Sequence, residues 1–197
     1  AAPPNTTVRI PPGTYRTEGL TVTKPVTIDG AGAATTVRGD GNGTVVRVNA
    51  SGVAVTDLRI DGVGSVGSRS TENASALSES GWSQKIELAY GRGDAAIAML
   101  GANGSLVEGV RIDTPSNGVI VRRSSGVVVR DLRLNGTATP REGFMGVVAM
   151  YAPVVVEDSE FVGGRDAVYT HRADGTVVRD NHMSDGRFGI HEMYTSG

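Results

Sequence analysis

A chain of 197 residues is long enough for one domain with a sizeable core, and its formal net charge of −2 argues against a nucleic-acid binder or an anionic-membrane surface. The absence of cysteine excludes disulfides, thiolate metal sites and cysteine nucleophiles together. No apolar run approaches the ~18 residues of a membrane span, and no signal-peptide pattern is present, so an exported protein would be seen here in its mature form.

At the start of the chain, Pro3 and Pro4 exclude helix and leave an extended lead-in. Residues 8–10, 11–15 and 20–28 then read as short strands cut by turn residues, and Val-Thr alternation sends Leu20, Val22, Val26 and Ile28 inward. Glycine-rich turns at 30–32 and 39–43 precede apolar runs at 45–48 and 53–60. Residues 62–93 break the pattern. The first part of this long insertion is polar and rich in Gly and Ser, which reads as loop, while 76–90, with Leu77, Trp82, Ile86 and Leu88, fits either a short helix or extra strands. Such an insertion is either a functional surface flap or a decorative loop whose Trp packs on the barrel.

From Ala96 onward the chain repeats itself. The segment from Asp166 to Met183 aligns without a gap under that from Asn117 to Leu134, and the period is about 21 to 27 residues, in the range of a solenoid. Three apolar columns result: Ile97, Val119, Val147, Val168 and Ile190; Val107, Val129, Val156 and Val178; and Ile112, Leu134, Phe161 and Met183. Period-2 alternation makes these inward ladders, with equivalent residues ~4.8 Å apart on successive coils. Glu108, Arg130, Glu157 and Arg179 form an outward column of alternating sign, which avoids like-charge neighbours. Short β-branched strands punctuated by glycine, with no helical period in any repeat, predict an all-β fold: a right-handed single-stranded parallel β-helix spanning residues 1–197 with one insertion at 62–93.

In this frame Met150, His171 and Met193 occupy one column on three successive coils, and Tyr169 and His191 share the next outward column. Two thioethers and two imidazoles are therefore expected on a single exposed face. Thioether with imidazole, without thiolate, suits Cu(I) better than zinc, calcium or magnesium, so Met150, His171, His191 and Met193 are the candidate metal ligands. Met183 belongs to an inward ladder and is core, and His182 points outward from another face.

Clustered carboxylates are a catalytic alternative, since Asp57, Asp131, Asp158 and Asp180 share one column. They fall at the same bend of each coil, where a side chain accepting backbone N–H bonds is favoured, and so read as structural. Ser159 and Ser184 lie near histidines without an elbow motif, and the glycines of 39–43 open no helix that would cradle phosphate. Asn-x-Ser/Thr patterns at Asn5, Asn42, Asn49, Asn73, Asn103 and Asn135 favour an extracytoplasmic address, periplasmic or secreted, with glycosylation as an accompanying option.

The opening stretch through residue 32 resembles the first coils of the carbohydrate-binding and sugar-hydrolase β-helix superfamily. The segment 164–169, with Asp180-Asn-His182 and the run from Arg187 to Tyr194, more particularly resembles the NosD family, exported β-helix proteins that work with an ABC transporter to deliver copper to nitrous oxide reductase during its maturation. This resemblance implies an accessory copper-handling protein rather than an enzyme, with a copper ion, ABC transporter subunits and a copper enzyme or chaperone as partners. His191 and Met193 match the family's His-x-Met-Tyr ending, and Asp166 and Tyr169 its preceding coil. NosD proteins continue for several more coils, so the chain is expected to be incomplete at its C-terminal end. The runner-up is a carbohydrate-active β-helix, lyase- or epimerase-like, that binds an extended glycan. Few aromatic residues and the absence of Asp-Pro-His-Asp weigh against it.

Overall fold

Short β-branched strands interrupted every few residues by glycine, aspartate or proline satisfy their backbone groups most regularly by pairing with the equivalent strand one repeat away. The computed structural model describes residues 2–65, 82–137 and 145–196, with residues 82–85 described by their backbone alone, and shows that pairing throughout. Three seven-stranded parallel sheets wind into a right-handed β-helix, each coil giving one strand to each sheet.

Sheet A contains β1 (Thr6–Arg9), β4 (Val26–Asp29), β7 (Ala54–Thr56), β10 (Leu106–Glu108), β13 (Val127–Arg130), β16 (Val154–Glu157) and β19 (Val177–Arg179). Sheet B contains β2 (Gly13–Arg16), β5 (Thr35–Arg38), β8 (Arg59–Asp61), β11 (Arg111–Thr114), β14 (Arg133–Gly136), β17 (Glu160–Gly163) and β20 (His182–Ser184). Sheet C contains β3 (Leu20–Val22), β6 (Val46–Val48), β9 (Ala95–Leu100), β12 (Asn117–Arg122), β15 (Val147–Met150), β18 (Asp166–His171) and β21 (Phe188–Met193).

The register agrees with the sequence alignment rung by rung. Val119 pairs with Ile97 and Val147, and Val168 with Val147 and Ile190. Val129 pairs with Val107 and Val156, and Phe161 with Leu134 and Met183. These columns fill the interior as one continuous apolar core, except that Ile190, on the last coil of the stack, is 47% exposed. Leu20 shares an inward column with Val46 but lies on an outermost coil and is 36% exposed. In the charged column of sheet A, Arg130 bonds Glu108 at 2.9 Å and Arg179 bonds Glu157 at 2.6 Å.

The bend between sheets A and B is where the aspartate column lies, and its role is conformational. Asp57, Asp131, Asp158 and Asp180 have φ of 50°, 46°, 50° and 56°, and Gly109 fills the same place with φ 63°. Aspartate is one of the few residues with a side chain that enters this left-handed region at modest cost. The expected backbone acceptors are instead their neighbours: Ser159 Oγ accepts from Leu132 N–H at 3.0 Å, and Asn181 Oδ1 from Ser159 N–H at 3.0 Å.

Within the insertion, residues 66–81 lie outside the described residues, so the loop reading there stands as an expectation. Of the second part, the described residues 82–90 form a helix, α1 (Trp82–Tyr90). No helix among the described residues is long and apolar enough to cross a membrane.

Candidate functional site

Helix α1 changes the character of sheet C. Every second residue of these strands points away from the barrel interior, yet α1 and the residues after it lie over that outer face. A second apolar cluster forms there from Ile86, Ala95, Ile120, Met145, Val148, Met150 and Tyr169, separate from the barrel core. Tyr90 closes on Tyr169 with ring centroids 5.1 Å apart. Gly91 sits so close to Met150 that an added Cβ would collide with its Sδ.

The three soft-ligand candidates stand where the alignment puts them. Met150 pairs with His171, and His171 with Met193, on adjacent rungs of sheet C; Tyr169 pairs with His191 beside them. Their expected exposure is wrong. Met150, His171 and Tyr169 are fully buried, and Met193 and His191 partly so, because the insertion covers a face that strand alternation alone leaves open to solvent.

His171 is the unusual residue of the group. It has no exposed surface, and among the described residues neither Nδ1 nor Nε2 has a hydrogen-bond partner. Tyr151 and Tyr194 approach its ring edgewise, each with centroids 5.6 Å away. Burial, reinforced by the charge of Arg172, holds its pKa below the ordinary 6.5, against the opposing pull of Glu87, so the ring is neutral and one nitrogen keeps a free lone pair. A buried imidazole with both nitrogens unsatisfied is costly and calls for an explanation.

The backbone beside this column is also unusual. Arg123, Tyr151, Arg172 and Tyr194 follow the last strand residues of successive coils with φ between 48° and 54°. Bulky residues rarely adopt this conformation, and strain of this kind concentrates at functional sites. Here it brings both tyrosine rings against His171. Arg123 and Arg172 in turn stack over those rings, at 5.5 Å and 5.8 Å from the centroids.

His191 is held differently. Its Nδ1 lies 3.0 Å from Asp166 Oδ2, and the Arg187 guanidinium grips the same carboxylate through two bonds of 3.1 Å. Asp166 is buried and fixes the ring with Nδ1 protonated, leaving Nε2 as the available donor atom, the arrangement by which carboxylates orient metal-binding histidines. Met193 accepts a hydrogen bond from the Tyr169 hydroxyl at 3.1 Å, and burial raises the pKa of that phenol so that it remains a donor. Glu87, buried on α1, pairs with Arg123 at 2.9 Å and Arg122 at 3.6 Å.

The alignment did not single out Glu87, Gly91, Tyr151 or Arg187. Arg187 had a readable signal, since Phe188 pairs with Asp166 and its predecessor falls beside that carboxylate. Glu87 and Gly91 belong to the insertion and have no counterpart on other coils. His182 lies on β20, away from this face, as expected. Among the described residues no three His, Cys, Asp or Glu side chains converge on one point, so a site here would depend on thioether donors.

No protein-family model and no curated protein matches the chain. Solved structures do. An exopolygalacturonase of Thermotoga maritima superposes with a TM-score of 0.74 at 16% identity over 95% of this chain. A family 28 exopolygalacturonase of Yersinia enterocolitica superposes with a TM-score of 0.68 at 15% identity over 93%. They share its fold. The chain spans about half the length of these proteins, 55% and 44% respectively, and at such identity the likeness extends to the β-helix alone. The resemblance to NosD proteins gains no support from these comparisons.

Proposed function

We propose that the covered face of sheet C binds a soft metal ion, Cu(I) by its donor chemistry, through His171 with Met150 and Met193, and that the chain is a copper-binding accessory protein. The observation that carries this reading is His171, fully buried with two ring nitrogens that have no hydrogen-bond partner among the described residues, set between methionines on the rungs before and after it. Thioether and imidazole are the ligand types that favour Cu(I), and Met150 and His171 are both fully buried. His191, oriented by Asp166, is the fourth candidate donor. Delivery to nitrous oxide reductase with an ABC transporter rests on the sequence resemblance alone.

Anaerobic titration against a chromogenic Cu(I) chelator tests the site. The wild-type chain is expected to withdraw copper from the chelator, and His171→Gln and the Met150→Leu/Met193→Leu pair to lose that ability, while His182→Gln keeps it. Equal competition by all four proteins removes the site.

A second reading, an extended-glycan binder or polysaccharide-active enzyme, is the one the structural neighbours favour over copper handling, since both are exopolygalacturonases. Release of reducing ends from polygalacturonate by the purified chain would support it. Complete inertness toward such polymers, in both binding and turnover, would leave it with fold likeness only.

A further inference from the structure

The outer face of sheet B, a third of a turn away from the metal candidates, breaks a rule that sheet A obeys. On sheet A the outward column alternates Glu108, Arg130, Glu157, Arg179 and closes into ion pairs. On sheet B the column beside the core runs Arg59, Arg111, Arg133 on three successive rungs, all of one sign, before Glu160 ends it. Like charges directly opposite on neighbouring strands destabilise a sheet. A local rule broken without internal compensation marks a place where function sets the residues.

The compensation is incomplete. Arg59 pairs with Asp113 at 2.9 Å and, through Nε, with Asp61 at 3.8 Å, although among the described residues Nε makes no hydrogen bond. Arg111 and Arg133 are exposed and make no side-chain hydrogen bond or ion pair among the described residues. The three line an open cleft of about 280 Å³ together with Asp113, Asn135 and Glu160. Guanidinium forks at successive rungs, ~4.8 Å apart, present a row of bidentate sites over roughly 10 Å.

We infer that this row binds a linear acidic glycan, its carboxylates received by Arg59, Arg111 and Arg133 and its hydroxyls by Asp113 and Asn135. The spacing is regular and one-dimensional, as the charges of a uronic-acid polymer are. Neither outward column of sheet B holds Phe, Tyr or Trp among the described residues: the first ends on Glu160 and His182, and the other runs Arg16, Arg38, Asp61, and then Asp113, Asn135, Val162, Ser184. A neutral sugar chain or a single nucleic-acid strand would need stacking platforms, so recognition here is by charge. The inference is independent of the metal site and narrows the glycan reading, on which it rests, to an acidic polymer on a named face.

Calorimetric titration of the whole chain with galacturonate oligomers, neutral gluco-oligomers of equal length and oligo-dT tests it. The acidic oligomer is expected to bind, more weakly as salt rises, and the other two not to bind. Arg111→Gln/Arg133→Gln should weaken binding by about tenfold or more, and Arg111→Lys/Arg133→Lys, which keeps charge but loses the fork, by less. These side chains are exposed, and circular dichroism of each variant checks that the fold is kept. Unchanged affinity in the Gln pair, or tighter binding of oligo-dT than of the acidic glycan, overturns the inference. Loss of binding in His171→Gln but not in the Gln pair moves the glycan to sheet C and overturns only this assignment; no binding by the wild type removes the glycan reading with it.

Discussion

The outer faces of sheets B and C are built on the same rungs with the same pleat, and they are opposites. On sheet C the outward residues Met150 and His171 are buried beneath the insertion, and the charges beside them, Glu87 with Arg122 and Arg123, are paired with one another. On sheet B the outward column of Arg59, Arg111 and Arg133 is open and cationic. Strand alternation tells which way a side chain leaves the barrel, but a segment outside the repeat decides whether it then meets water. The two faces should accordingly respond very differently to substitution.

The largest difference is expected between Tyr169→Ala and Arg133→Ala. The first empties a fully buried ring that packs on Tyr90 and should cost about 3–5 kcal/mol, whereas the second, on the open face, should be close to neutral. Urea unfolding of the two variants side by side measures this, and equal losses would break the contrast. Next comes Gly91→Ala, whose Cβ would press on Met150 Sδ and lie 2.9 Å from the Glu87 carbonyl oxygen. Overpacking of this kind should cost about 1–3 kcal/mol, and adding Met150→Ala should recover part of it in a double-mutant cycle.

A pH experiment sharpens the contrast further. His171 has a folded-state pKa below 6.5, so the unfolded chain binds its proton first. Stability from this residue is fully present above that value and falls as pH drops below it, by up to about 1.4 kcal/mol per pH unit, until the folded state itself takes the proton. His171→Phe should flatten that acid limb of the stability profile, and an unaltered limb would mean that the ring is not held neutral by its cover. The smallest effect is expected for Glu157→Arg on sheet A, which would place like charges on adjacent rungs as on sheet B. A slight fall in Tm that shrinks with added salt is the expected reading.

From Ala96 onward the coil register was legible because identical positions recur with identical chemistry: the column through Val119, Val147 and Val168 needs no tertiary information. The arginine column lay one residue away from the inward Ile60, Ile112 and Leu134 and could have been read from the same alignment. What could not be read was the roof. Residues of α1 repeat nowhere else in the chain, so no column predicts that Glu87 pairs with Arg123 or that Gly91 fits against Met150. The aspartate bend lies between these cases. Its position was evident, yet its cause was assigned to side-chain hydrogen bonding when it lies in φ, with Ser159 and Asn181 doing the capping.

Parallel stacking has one more consequence for the His171 column. Donor atoms contributed by successive coils are spaced by the hydrogen-bond pitch of the backbone, ~4.8 Å per step, and no strand can shift sideways without losing its ladder. The β-helix therefore works like a graduated rule: the size of any ion or sugar unit it receives is matched by changing which side chain stands at a mark, never by moving the marks.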